Sequence, residues 1–178
     1  MIKTKFKKVK ILLIILCLII LFLGIKSTMV KYDITDEAII NASPDVVFNA
    51  VKDEACGKTS WWMPHLSFKP REESTCGVGD LIDVTVLGKR PIKFTTKTVE
   101  IKMNERVKGN YVEGAYRGEF VWEFKDLDGK TKLSFRWCTK PEGLLLRILA
   151  PFLPIEKYHS DVMKAGFNNL NKFLDQKS

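Results

Sequence analysis

Residues 142–176 read EGLLLRILAPFLPIEKYHSDVMKAGFNNLNKFLDQ. Leu144, Leu145, Leu146, Ile148 and Leu149 make an apolar turn or two. Pro151 and Pro154 then interrupt, because proline lacks an N–H and clashes with the preceding turn. From about Glu156 the pattern resumes. Val162, Gly166, Phe167, Leu170, Phe173 and Leu174 recur at spacings near three and four, which is one face of a helix. A face that apolar has to lie on something. The chain upstream offers alternating strands, so the expected architecture is α+β, one long C-terminal helix lying across a curved antiparallel sheet.

Those strands can be read back from the helix. Leu133, Phe135, Trp137 and Thr139 share one parity, opposite Lys132, Ser134, Arg136 and Cys138. Tyr116, Gly118, Phe120, Trp122 and Phe124 share another, opposite Arg117, Glu119, Val121 and Glu123. Asp128-Gly129 between the two runs is a hairpin signal. Residues 106–112 read as a strand with Val107 and Tyr111 inward. Residues 92–103 begin with Ile92 and Phe94 on even positions and end with Val99, Ile101 and Met103 on odd ones. Period-two alternation changes face only through an irregularity, which predicts a bulge near Thr95–Thr98. Residues 81–87 alternate through Ile82, Val84 and Val86, and Phe68 marks a further strand. One sheet face is aromatic and the other charged, as for a sheet covered on one side and wet on the other.

The domain opens with a strand over residues 32–40, with Ile34, Ala38 and Ile40 on one parity. Asn41-Ala42-Ser43-Pro44 then starts a helix, with Ser43 as cap, Pro44 in the first turn and Asp45 at the positive end of the dipole. Val46, Val47, Phe48 and Val51 form its buried face. Trp61-Trp62-Met63-Pro64-His65 predicts a short turn that plugs one end of the core. Cys76-Gly77-Val78-Gly79-Asp80 is a turn without the lysine and following helix of a phosphate loop.

The net charge is +8, yet residues 1–31 hold seven lysines and no acid, leaving a single net positive charge on the rest. Nucleic-acid binding by the folded part thereby loses its main argument. Residues 11–25, ILLIILCLIILFLGI, are uncharged and bracketed by Lys10 and Lys26. Their length lies between a signal-peptide core and a spanning helix. The expected division is a hydrophobic N-terminal helix and membrane anchor over residues 1–28 and a folded domain over 29–178. Five lysines precede the run and two follow it, which places the N-terminus in the cytoplasm and the domain outside. The alternative is a cleaved signal peptide and a secreted or periplasmic domain. Of Cys17, Cys56, Cys76 and Cys138, none has metal-ligand spacing. The favoured reading leaves Cys56 and Cys76 as small semi-apolar residues, and an extracytoplasmic domain would permit them to pair.

The stretches INASPDVVF (residues 40–48), Trp61-Trp62 with Pro64, GEFVWEF (118–124) and YHSDVMKAG (158–166) resemble the SRPBCC superfamily, which groups START, polyketide cyclase/dehydrase and birch-pollen-allergen-like proteins. The resemblance covers residues 33–175. It implies a helix-grip fold, a curved antiparallel sheet wrapped around the C-terminal helix with an apolar cavity between them. It also implies a bacterial, membrane-anchored member. Such proteins bind lipids, sterols, polyketides or quinones, and some are cyclases.

A binding site of this kind needs an apolar cavity with a few polar groups. Its expected lining is Trp62, Phe94, Tyr111, Tyr116, Phe120, Trp122, Phe135 and Trp137, with Phe167 and Leu170 from the helix. The leucine-rich segment 143–154 is the expected gate. The ligand is a hydrophobic small molecule such as a lipid, isoprenoid or polyketide, with no cofactor and no metal. An alternative is a cyclase or dehydratase acting on such a molecule. Its candidate bases are His65 and His159, the only histidines, although a capping or partly exposed role is the plainer reading of each. A third reading is a protein-interaction domain whose interior its own side chains fill.

Overall fold

The structure, a computed structural model, describes residues 10–15, 18, 30–71 and 74–176. Seven strands make one antiparallel sheet: β1 (Tyr32–Ile40), β2 (Leu66–Pro70), β3 (Leu81–Val86), β4 (Ile92–Lys102), β5 (Arg106–Gly114), β6 (Tyr116–Leu127) and β7 (Lys130–Pro141). Their order across the sheet is β1-β7-β6-β5-β4-β3-β2. The first and last strands of the chain therefore lie side by side, from Tyr32 opposite Thr139 to Ile40 opposite Thr131. Between β1 and β2 runs α1 (Pro44–Ala55). After β7 come α2 (Leu144–Leu149), a 3-10 turn (Ala150–Phe152) and α3 (Ile155–Asp175).

The breaks at Pro151 and Pro154 fall where proline chemistry puts them. The long helix beyond them buries Ile155, Met163, Gly166, Phe167, Leu170 and Leu174. The aromatic parity of β6 and β7 faces this helix. The opposite parity carries ion pairs such as Arg136–Asp33 and Lys108–Glu119, which in water contribute little to stability. β4 carries the expected irregularity, with register shifts between Thr95 and Thr96 and between Thr98 and Glu100. Such shifts bend a strand, and the sheet curls around α3. Of Val99, Ile101 and Met103, only Ile101 joins the interior, while Val99 and Met103 stay exposed. The second shift ends the inward run of Phe94, Thr96 and Thr98 instead of moving the whole strand end inside.

α1 departs from expectation in two details. The Ser43 hydroxyl bonds the Asp45 carboxylate instead of capping the helix, and the Ser43 carbonyl accepts from the Val47 N–H. Val46 is exposed, and the buried face is Val47, Phe48, Ala50, Val51 and Glu54. Glu54 was not foreseen as buried. Its carboxylate accepts hydrogen bonds from the Trp61 and Trp62 backbone N–H groups at 2.9 and 3.1 Å and from the Thr59 hydroxyl at 2.7 Å. A buried charge with three donors is satisfied, and it fixes the tryptophan turn against α1. Cys56 and Cys76 form a disulfide that ties the end of α1 to the β2–β3 loop, contrary to the favoured reading.

The membrane localisation is corrected. Among the described residues no helix is long and apolar enough to cross a membrane. Residues 11–15 and 18 are described and exposed. The rest of the 11–25 run, which carried the anchor and the sidedness, lies outside the described residues.

Gly166 lets α3 close on the tryptophan turn. A Cβ there would meet Trp62 Nε1 at 2.3 Å. Alanine gains about 1 kcal/mol over glycine in a helix, whereas overpacking costs about 1–3 kcal/mol. Gly166→Ala is expected to lower the melting temperature by about 2–6 °C, and by less in a Trp62→Phe background. Equal losses in both backgrounds would contradict the close approach. Reduction of the Cys56–Cys76 bond, which closes a 20-residue separation, is expected to cost about 2–4 kcal/mol, read as a shift in the urea midpoint.

Candidate functional site

The sheet and α3 do not meet everywhere. Between them, with α1 closing one side, lies a cavity of about 250 Å³. Trp62, Phe94, Tyr111, Tyr116, Phe120, Trp122, Phe135 and Trp137 all line it. Their rings pack on one another in a continuous layer. Trp122 meets Phe135 at 4.5 Å, Phe94 meets Tyr111 at 5.1 Å, and Tyr116 meets Trp137 at 5.1 Å between ring centroids. Gly109, opposite Phe120 on β5, leaves room for that ring, since a Cβ would approach it to 2.3 Å.

Phe167 and Leu170 lie elsewhere. Both are sealed in the core, with Phe167 against Trp122 at 6.2 Å, and neither borders the cavity. The first half of α3 lines it instead, through Ile155, Tyr158, His159, Val162 and Met163. The periodic face marked which residues turn inward, but not where along the helix the sheet pulls away. No residue between Gly143 and Pro154 borders the cavity, so the expected gate is set aside. Leu144, Leu145 and Phe152 are exposed on the surface there. The wall also takes in Val84, Thr96 and Thr98, whose signal was the alternation of β3 and β4, and Cys76 from the β2–β3 loop.

The two histidines part company. His65 is half-buried at the start of β2, where its backbone bonds to Trp62 and Leu87, and it does not border the cavity. His159 does. Its imidazole lies nearly parallel to the Trp137 rings at 4.4 Å and to Phe135 at 5.8 Å. Its Nδ1 is 3.0 Å from Asp36 Oδ2. The two side chains are 14% and 8% exposed. Asp36 sits on the inward parity of β1 between Ile34 and Ala38. That parity was legible, and an acid on it was the overlooked signal. Burial pushes His159 below the ordinary histidine value, against the pull of the Asp36 charge.

The phenols nearby are neutral at physiological pH. Burial raises Tyr111 strongly, against a smaller opposing pull from the Trp137 indole, and pushes Tyr116 up to about 12. The Tyr32 ring stacks on Trp137 at 5.2 Å. Its hydroxyl and that of Thr139, its cross-strand neighbour, are buried without a partner among the described residues. No group of three or more potential metal ligands occurs among the described residues.

No family model and no curated protein matches the sequence. Solved structures do match. A protein from Thermus thermophilus aligns with a TM-score of 0.67 at 15% identity, over 83% of this chain and 99% of its own. The ZhuI aromatase/cyclase from Streptomyces sp. R1128 aligns at 0.62 and 12% identity, over 82% and 96%. The chain has the helix-grip fold. A third likeness is to norcoclaurine synthase from Thalictrum flavum in complex with dopamine and hydroxybenzaldehyde, at 0.58 and 16% identity, over 86% and 92%. At such identities the likeness is one of fold, the one the resemblance implied.

The lowered pKa of His159 has a signed consequence. Between its unfolded-state value, about 6.5, and its lower folded value, the unfolded chain binds more protons. Stability therefore falls as the pH drops from 7 towards 5. His159→Phe keeps a ring in place and removes the titration, so thermal melts of this variant are expected to show a flatter pH dependence over that window. An unchanged slope would mean that His159 titrates alike in both states.

Proposed function

We propose that the chain binds a hydrophobic small molecule in the cavity between the sheet and α3, and that residues 29–178 are the binding domain. The carrying observation is the cavity itself, about 250 Å³ walled almost throughout by apolar and aromatic side chains. Its size falls just below the usual range of small-molecule pockets, about 300–1,000 Å³, and suits a small ligand. An interior filled by its own side chains, as a pure interaction domain would have, does not leave such a space. The fold is shared with an aromatase/cyclase and with a synthase solved with two aromatic ligands, which supports a small-molecule ligand. Lipid-like, isoprenoid-like and polyketide-like molecules all suit the lining.

A second reading has one observation in its favour. A buried aspartate–histidine pair on the wall of an apolar cavity is equipment for proton transfer. An enzyme of cyclase or dehydratase type would use it on the same class of molecule, with His159 as the base and Asp36 orienting it.

Trp62, Trp122 and Trp137 border the cavity, so a bound ligand changes their emission. The full chain, purified without detergent, is expected to release a hydrophobic compound on organic extraction, or to show saturable tryptophan quenching by added lipids or polycyclic aromatics. Val162→Phe, which grows into the cavity from α3, is expected to weaken that binding about tenfold. No extractable compound and no saturable quenching would sink the proposal.

A further inference from the structure

We propose that His159 Nε2 is the polar anchor of the cavity, acting as a hydrogen-bond acceptor, and that the ligand is an apolar alcohol or phenol whose hydroxyl donates to it. This rests on the ligand-binding reading above and specifies its chemistry.

The assignment follows from Asp36. An ionised carboxylate only accepts hydrogen bonds, and Asp36 Oδ2 faces His159 Nδ1 at 3.0 Å. The ring proton therefore sits on Nδ1, and Nε2 keeps its lone pair. Which nitrogen of a histidine carries the proton is set in this way by the bond the other makes. The ring cannot turn over cheaply. Turned over, it would still lie parallel to Trp137, within 14°, but Nδ1 would leave Asp36 and the buried carboxylate would lose its partner. Burial keeps the imidazole neutral at pH 7, so the lone pair is available. No group among the described residues bonds Nε2.

The other polar side chains of the wall, Lys52, Thr96, Thr98, Tyr111, Tyr116 and Tyr158, all carry donors, so Nε2 is the acceptor that has no proton of its own. Among these, the Thr96 hydroxyl already donates to the Ile82 carbonyl at 3.4 Å. A ligand hydroxyl meeting Nε2 gains a bond in a low-dielectric site. An ether or a ketone brings a second acceptor against the first and leaves both unsatisfied. A carboxylate adds charge repulsion from Asp36.

Calorimetric titration of the full chain with 2-naphthol, 2-methoxynaphthalene and 2-naphthoate reads this preference. The naphthol is expected to bind about tenfold tighter than its methyl ether, the worth of roughly one buried hydrogen bond, and the naphthoate weakest. His159→Phe retains the stacked ring and is expected to bind naphthol and ether alike. Asp36→Asn no longer dictates the proton position and is expected to shrink the preference. A separate readout needs no ligand: histidine-selective nitrogen NMR on the wild-type chain should find His159 protonated on Nδ1 and bare on Nε2. Equal binding of naphthol and ether, or a proton on Nε2, overturns the anchor while leaving the cavity a binding site. Failure of all three compounds to bind overturns the binding reading, and the anchor with it.

Discussion

A sheet of seven strands is about 30 Å wide across the strands if laid flat, and a helix with its side chains is about 10–12 Å thick. One helix cannot cover such a face. The sheet must curl, and something besides the helix must fill what curling leaves. The two register shifts in β4 supply part of the bend. α1 and the tryptophan turn close one end, where Gly166 admits the Trp62 indole and Phe167, Leu170 and Leu174 seal against the sheet. Under the first half of α3 the same geometry leaves a gap. The cavity is thus a consequence of covering a wide curved face with a narrow rod, made dry and usable by a lining of aromatic rings.

Two buried acids show how differently the fold treats charge. Glu54 receives three hydrogen bonds from the segment it holds, and its surroundings read as structural. Asp36 is bonded to one group, an imidazole that borders the cavity. A buried carboxylate held by one neutral imidazole is a weak contributor to stability, since desolvation offsets much of what the bond supplies. A hydrophobic pair of similar volume at positions 36 and 159 would hold β1 to α3 at least as well. The aspartate and histidine at these positions fit a requirement of the cavity better than one of the fold.

The sheet was legible because alternation is strict on β6 and β7, and residues 32–40 matched β1 to the residue. The β4 irregularity was legible for the same reason, since a change of parity has few physical causes. The site was read less completely. The aromatic wall followed from parity, but Phe167 and Leu170 were placed in it, and His159 was read only as a candidate base beside His65. Periodicity tells which side of a helix faces in, yet it carries no information on how far the facing surface lies. Asp36 escaped notice because an acid within an alternating strand reads as a solvent-facing residue until its partner, 123 positions away, is known. The disulfide was equally a matter of distant positions brought together by the fold.

β1 is an edge strand that pairs only with β7, about 100 residues further on. The carbonyl of Ala42 just beyond it accepts from Thr131, and Asn171 on α3 bridges to Ile39 and Asn41. At a synthesis rate of roughly 5–20 residues per second, the strand spends roughly 5–20 s outside the ribosome before its partner exists. Its inward side chains, Tyr32, Ile34, Ala38 and Ile40, have no sheet to join during that interval. The molecule closes like a ring, from its two ends, and every earlier strand pairing remains an open ribbon until β7 and then α3 arrive. Vectorial synthesis therefore leaves the cavity as a late product, absent from any chain cut short before the final helix.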